Sequence, residues 1–460
     1  MVRNLPGALA FAPLLVGLAS AGMPSIEGAR VLDGNALLHE RPYVVLSPNR
    51  EQVAYVSKGH VVFCNVLDPQ PKRLGAVPGS WTEILARPEN AHALGNSHVL
   101  LKKLGREERS AFYNKLSRVV DLQWTHDSES VVWGLQRFVE GDVPADPRQP
   151  PSRVGQTEYW IATTAGEKRP MLTTRRGGAR ITRDRRYSVA NAHSKALIWD
   201  LKANRPRATP YLRLTASSTS DRWIGLEKDT RQLVILDADF EVVQRFEEFM
   251  PKLTFGSELL WSPDERYALL RNQIGFDHYS NWKGFCLDLE TGEKLPLEGW
   301  FMREDFAFTG RGDEFYRCGV SGKRNPQVTA TIVTGAHFTL YPSLIAEPIR
   351  LLEVQYGTRN HNAAPSSPGP YGVFASADAE CFLLCQSGPG NNRWEWRWRL
   401  CDREGALRPL APEAPDLAAP SVRIAGFAKG DREVIAYDRT GLFALPVSPP
   451  GAKSTSAPSP

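Results

Sequence analysis

The chain reads as an all-β protein, a β-propeller of four-stranded antiparallel blades, with eight blades favoured and seven the alternative. Three observations predict it. Residues 259 to 297, LLWSPDERYALLRNQIGFDHYSNWKGFCLDLETGEKLPL, hold strand, turn, strand, loop, strand, turn, strand in one compact unit, and weaker copies of that plan lie over most of the chain. Composition agrees: 37 Gly, 35 Pro, 12 Trp, 13 Tyr and 19 Phe supply turns and strand-filling side chains, and no long helical periodicity appears. A period of roughly 40 to 60 residues lets one repeat domain absorb a length that would otherwise suggest about three domains.

In chain order, Met1 to Ala21 carries one positive charge, Arg3, then the apolar run LPGALAFAPLLVGLASA ending in small residues. This is the pattern of a secretory signal peptide cleaved after Ala21, which makes the expected location secreted or periplasmic. The run is broken by Pro6 and Pro13, and no later stretch approaches the ~20 apolar residues of a membrane span. Residues 22 to 447 form the expected propeller. Its turn signals are Ser47-Pro48-Asn49, His126-Asp127-Ser128, Arg183-Asp184-Arg185, Thr219-Ser220-Asp221, Ser262-Pro263-Asp264, Gly310 to Asp313, Ala377-Asp378-Ala379 and Lys429-Gly430-Asp431, eight in all. Each combines small or polar residues that accept a tight bend with a following period-two strand. Residues 76 to 118 hold no clean signal and read as a degenerate blade or an insertion. The last repeat shows three strands, so Ala29 to Leu38 is expected to close it. The tail from 448 to 460, rich in Pro and Ser, reads as disordered.

One such unit cannot bury both of its faces. Copies stacked around an axis bury a continuous core and leave only short protected edges. The Ser-Pro-Asp turn of residues 262 to 264 and the Thr-Gly-Glu turn of residues 291 to 293 resemble those of TolB-like, WD-type propeller repeats, which also occur in prolyl-oligopeptidase-type enzymes. That resemblance implies the propeller fold over most of residues 44 to 447. It departs at Glu265, where the repeat has glycine. A hydrolase domain is not implied, because the chain lacks a GxSxG elbow.

The net charge of +5 arises from 56 basic and 51 acidic residues interspersed, which describes a mixed surface rather than a nucleic-acid groove. No CxxC, HxxxH, CxxCH or dinucleotide glycine pattern occurs, so neither a metal nor a cofactor is expected. Of the six cysteines, Cys381 and Cys385 lie on one face of a strand, about 13 Å apart at ~3.3 Å per residue, too far to bridge each other. Either is a candidate partner for Cys401 on the neighbouring strand, the alternative being free buried thiols.

Loops joining second to third strands share one face with the blade-to-blade connections, and the long insertions fall there. Candidate ligand-binding residues follow from that placement. Asp277, His278, Tyr279 and Trp282 offer a carboxylate, an imidazole and two aromatic platforms suited to a polar ligand. Arg359 and His361 form a second polar cluster, against which stands a solvated Pro- and Ser-rich loop. Arg175, Arg176 and Arg180 lie in RRGGARITRDRR, whose arginines and exposed backbone suit an anion, against which stand solvated strand ends. Trp394, Trp396 and Trp398 alternate with charges and read as packing between blades.

No catalytic residue is assigned. The sequence favours a monomeric binding scaffold for a protein, peptide or glycan, without nucleic acid, acting through the loop-bearing face. The alternative is a hydrolase or lyase acting on a carbohydrate-like substrate from an axial site, whose scattered groups no sequence spacing would reveal.

Overall fold

The computed structural model describes residues 29–34, 44–80, 117–138, 154–174, 179–191, 196–203, 205–246, 258–274, 281–297, 303–309, 314–324, 331–342, 349–355, 373–389, 394–410, 422–438 and 441–447, with isolated residues between them. The first strand, β1 (Arg30–Asp33), is set aside by the chain for its final blade. Blade 1 is β2 (Val44–Leu46), β3 (Gln52–Ser57), β4 (His60–Asn65) and β5 (Lys72–Ala76). Blade 2 is β6 (Ser117–Trp124), β7 (Ser130–Phe138), β8 (Val154–Thr163) and β9 (Lys168–Thr174). Blade 3 is β10 (Ala179–Ile181), β11 (Tyr187–Asn191), β12 (Ala196–Asp200) and β13 (Arg205–Arg207). Blade 4 is β14 (Tyr211–Ala216), β15 (Trp223–Glu227), β16 (Leu233–Leu236) and β17 (Val242–Arg245).

Blade 5, the unit from which the repeat was read, is β18 (Glu258–Trp261), β19 (Tyr267–Ile274), β20 (Asn281–Asp288) and β21 (Lys294–Leu297). Blade 6 is β22 (Arg303–Phe308), β23 (Phe315–Arg324), β24 (Thr331–Tyr341) and β25 (Ile349–Gln355). Blade 7 is β26 (Val373–Ala375), β27 (Cys381–Pro389), β28 (Trp394–Asp402) and β29 (Leu407–Pro409), joined by β30 (Ala418–Ala419). Blade 8 is β31 (Arg423–Phe427), β32 (Glu433–Tyr437) and β33 (Leu442–Pro446), completed on its outer edge by β1.

Uniformly four-stranded blades are not what the chain builds. Among the described residues seven sheets have four strands and blade 7 has five. The reason is a length mismatch: β29 pairs with β28 only at Arg399, Leu400 and Cys401, which leaves the other half of β28 an open edge. Ala418 and Ala419 cover part of it opposite Arg397 and Trp396.

The sheets stand around one ring because each seam has its own apolar core. Val119 and Trp133 of blade 2 meet Ala54 and Val56 of blade 1; Leu383 and Trp398 of blade 7 meet Ile424 and Val434 of blade 8; Ile435 and Leu442 of blade 8 meet Val53 and Tyr55 of blade 1. Corresponding clusters fill the seams between blades 2 and 3, 3 and 4, 4 and 5, 5 and 6, and 6 and 7. Strand alternation explains the sharing, since successive side chains of one strand feed the two neighbouring seams. It also removes the disulfide option. Cys401 pairs with Phe382 and joins the seam with blade 6, while Cys381 pairs with Asp402 and joins the seam with blade 8. Cys381 therefore cannot reach Cys401, and Cys385 pairs with Trp398, three places along β28 from it. The described thiols, Cys64, Cys286, Cys381 and Cys401, are free and buried.

The recurrent turn joins each first strand to its second. In blade 5 the Ser262 hydroxyl donates to Asp264 Oδ1 at 2.5 Å and accepts the Tyr267 amide at 2.8 Å, while Asp264 accepts the Arg266 amide at 3.1 Å. Ser47, Thr125, Thr182 and Ser376 repeat the arrangement with Asn49, Asp127, Asp184 and Asp378. The next residue is left-handed in each, at φ 61° for Arg50 and Ser128, 57° for Arg185, 64° for Glu265 and 55° for Ala379. Glycine reaches this conformation without strain, and here five other residues accept it.

Candidate functional site

An antiparallel blade puts its first and third turns at one end and its middle hairpin at the other. The two ends of this ring are built differently. At the turn end, side chains tie blade to blade. Arg50 pairs with Asp431 at 3.0 Å, whose other oxygen accepts the Ala377 amide at 2.8 Å, so one carboxylate links blades 1, 7 and 8. Ser128 Oγ accepts the Asn49 amide at 3.1 Å, Arg185 pairs with Asp127, and Arg186 pairs with Asp239 at 2.6 Å. Glu265 of blade 5 reaches into blade 4, accepting from Ser217, Ser220 and Arg222, the last at 3.0 Å. Arg403 of blade 7 grips the 3% exposed Glu314 of blade 6 with both terminal nitrogens, at 2.5 and 3.2 Å. Burial alone pushes the Glu265 carboxyl up, but the Ser217 and Ser220 hydroxyls and Arg222 more than reverse that and hold it below its usual range.

The hairpin end is uneven. The middle strands of blades 3, 4 and 8 have four or five residues each, but those of blade 5 have 8 and 8, of blade 6 10 and 11, and of blade 7 9 and 9. At ~3.3 Å per residue this is a difference of up to about 20 Å in strand length. Three consecutive blades therefore raise a wall on one side of the loop-bearing face. Blade 2, with 9 and 10, stands on the other side.

This moves some of the residues expected in loops onto ladders. The pairing of β19 with β20 continues to Ile274 opposite Asn281, so Trp282 is a strand residue opposite Gln273. Pairing likewise runs to Arg324 opposite Thr331 in blade 6 and to Pro389 opposite Trp394 in blade 7. Asp277, His278, Tyr279, Arg359, His361, Arg175 and Arg176 lie outside the described residues. Arg180 sits on β10 opposite Val189 and is exposed. Trp282 and Arg180 belong to blades 5 and 3, so blade 4 stands between their strands. Trp398 packs as expected, 5% exposed, its indole N–H donating to Val422 O at 2.9 Å.

Of the arginines near the starts of first strands the sequence singles out Arg180; the others escape it because a single arginine there carries no pattern. First strands run from the hairpin face toward the turn face, so their opening residues ring the axial mouth. Arg303 and Arg423 are such residues on blades 6 and 8, while Arg118, Arg180 and Arg213 stand second or third on β6, β10 and β14, at different heights above their turns. Glu258 opens β18, and Glu304 and Asp305 follow Arg303. Burial draws the Arg213 guanidinium below its usual value. On the rim, a cleft of about 480 Å³ opens between blades 2 and 3, lined among others by Tyr159, Arg169, Met171, Leu172 and Trp199, where the three-residue β13 is too short to cover the seven-residue β9. On the other side of blade 2, Lys168 Nζ lies 4.3 Å from the Trp160 ring centre and 5.4 Å from that of Trp133. Among the described residues no cluster of three or more His, Cys, Asp or Glu side chains has metal-binding geometry, and no helix is long and apolar enough to cross a membrane.

No protein-family model matches the chain, and no curated protein matches it. Solved structures do. The β-propeller domain of the Trilobed protease from Pyrococcus furiosus is 13% identical with a TM-score of 0.37, covering 72% of this chain and 95% of that one. A eukaryotic initiation factor is 11% identical with a TM-score of 0.47, covering 88% and 86%. Dihydro-heme d1 dehydrogenase NirN is 14% identical with a TM-score of 0.44, covering 92% and 79%. Likeness at this level bears on no activity.

Proposed function

We propose that the protein is a secreted or periplasmic binding propeller of the TolB-like repeat type, whose hairpin-bearing face takes a protein or peptide partner. The observation that carries this reading is the contrast between the two ends of the ring. The turn end ties many of its polar side chains across its own seams. The hairpin end raises the long ladders of blades 5, 6 and 7 beyond the body of the ring, an extension that closing the core does not require. Surfaces lifted above a rigid scaffold are where recognition sits in repeat folds.

The test compares three immobilised proteins for retained partners, identified by mass spectrometry: wild type, a variant in which residues 321–333 are replaced by a two-residue turn, and Arg186→Ala on the turn face. Trimming the blade 6 hairpin is expected to remove the partners that Arg186→Ala keeps. Retention of the same set by the trimmed protein would sink the reading.

A further inference from the structure

We infer that the outer cleft between blades 2 and 3 is a binding site for a small carboxylic acid with a flat or branched apolar body. It lies on the rim of the ring rather than on the loop-bearing face, so it is a second site, independent of the partner surface. Two features of the strands open it. β13 pairs with β12 only at Ile198, Trp199 and Asp200, so blade 3 has no outer strand beyond that point. Opposite it, β9 carries one extra residue: Tyr159 pairs with Leu172, but the next residue of β8, Trp160, pairs with Pro170. Met171 is the extra residue, a β-bulge beside a proline that has no N–H to give to the ladder. A regular strand would send Arg169 and Leu172 to opposite faces. Across the bulge both turn toward blade 3, since Arg169 pairs with Ile161 and Leu172 with Tyr159, and Ile161, Tyr159 and Leu172 all belong to the seam with that blade.

The floor and the rim differ in chemistry. Leu172 and Tyr159 are buried, and the Tyr159 hydroxyl donates to Asp121, so the floor offers apolar surface. Met171, Trp199 and Leu201 stand half-buried around it, a thioether, an indole and a branched chain suited to a flat ring or an alkyl body. The volume of about 480 Å³ is that of a small-molecule pocket. Its described charged lining residues are Arg169 and Glu158. Glu158 turns with Trp160 toward the seam with blade 1, where it faces Arg137 at 3.6 Å. Arg169 is exposed and makes no hydrogen bond or ion pair among the described residues. The cleft thus sets a guanidinium fork, with no described acid to answer it, against apolar walls. That fork matches a carboxylate bidentately, and a ligand body that displaces water from the walls strengthens the pairing.

The test titrates the full chain with naphthoate by calorimetry at about 150 mM salt, beside its neutral analogue naphthamide and a short glycyl peptide ending in a free phenylalanine carboxylate. Naphthoate is expected to bind about tenfold or more tightly than naphthamide. Arg169→Ala should abolish that preference and leave the naphthamide affinity as it was. Met171→Trp, which fills the cleft, should weaken both ligands. Arg205→Ala removes an arginine of β13 that pairs with Asp200 and turns toward blade 4, and should change neither. Equal affinities for acid and amide in the wild type would remove the guanidinium from the site. Equal weakening by Arg205→Ala would show a diffuse field, and unchanged binding to Met171→Trp would place the ligand elsewhere. Tighter binding of the peptide would assign the cleft to the C-terminus of a protein. Each of these results overturns the inference, as does absence of naphthoate binding.

Discussion

Glu265 occupies a position where its own backbone is disfavoured, at φ 64°. Its carboxylate explains its presence, because four side chains of blade 4, Ser217, Thr219, Ser220 and Arg222, converge on it and it is only 14% exposed. Glu265→Gln keeps the shape and removes the charge, and is expected to destabilise by about 1–3 kcal/mol, read as a lower urea midpoint at unchanged slope. The pH dependence follows in sign. A carboxyl held below its ordinary value of 4.5 contributes stability that is present above that pH and is lost as the pH falls through the depressed folded value. Wild type should therefore lose more stability than Glu265→Gln between pH 6 and about pH 3; parallel curves would deny the seam its electrostatic part.

Turns make the second kind of demand. Gly405, at φ +85°, stands in the turn between β28 and β29, and a Cβ there would sit 2.7 Å from the Leu351 carbonyl of blade 6. Gly292, at φ +75° in the Thr-Gly-Glu turn of blade 5, has nothing within 4 Å. Ala at Gly292 is expected to cost about 1 kcal/mol from backbone strain, and Ala at Gly405 about 2–4 kcal/mol because blade 6 must also move. Equal costs by chemical denaturation would mean that the seam yields freely. The same comparison shows what the sequence conveys at this scale. Ser262-Pro263-Asp264 and its relatives all lie between first and second strands, because their hydrogen bonds are local and local chemistry is written in adjacent residues. Strand ends were less legible: nothing between Arg271 and Gly284 states that the ladder continues to Ile274, since that depends on how tall neighbouring blades stand.

For the whole molecule, ring closure depends on four residues. β1 pairs with β33 through Arg30, Val31 and Asp33, while Arg30 grips Glu433 at 2.9 and 2.7 Å and donates to Val66 O of blade 1 at 2.9 Å. Leu32, 3% exposed, enters the seam between blades 8 and 1. Removing the chain through Asp33 would leave Leu442 to Pro446 as an unpaired edge, so the truncated protein is expected to self-associate, seen by light scattering after size exclusion. A monomeric truncation with unchanged melting would show that closure is dispensable. Closure itself was readable, because blade 8 lacked a strand and Ala29 to Leu38 had none of its own sheet to join. The heights of the first strands were not: Arg180 pairs two places past the residue bound in its turn and Arg118 six, a difference that only the register shows.

The pairing of Arg30 with Glu433 spans 403 positions, so on a ribosome the first-made strand waits for the last-made one. At ordinary elongation rates that wait is roughly 20 to 80 s. During it the growing protein is an open row of sheets with a bare edge at each end, and its own two edges are competitors with any other nascent copy for the same partner. The final strand exchange is thus a moment of choice between closing on itself and linking to a neighbour, and whatever escorts the young chain has to hold both ends apart from strangers until residue 446 has emerged.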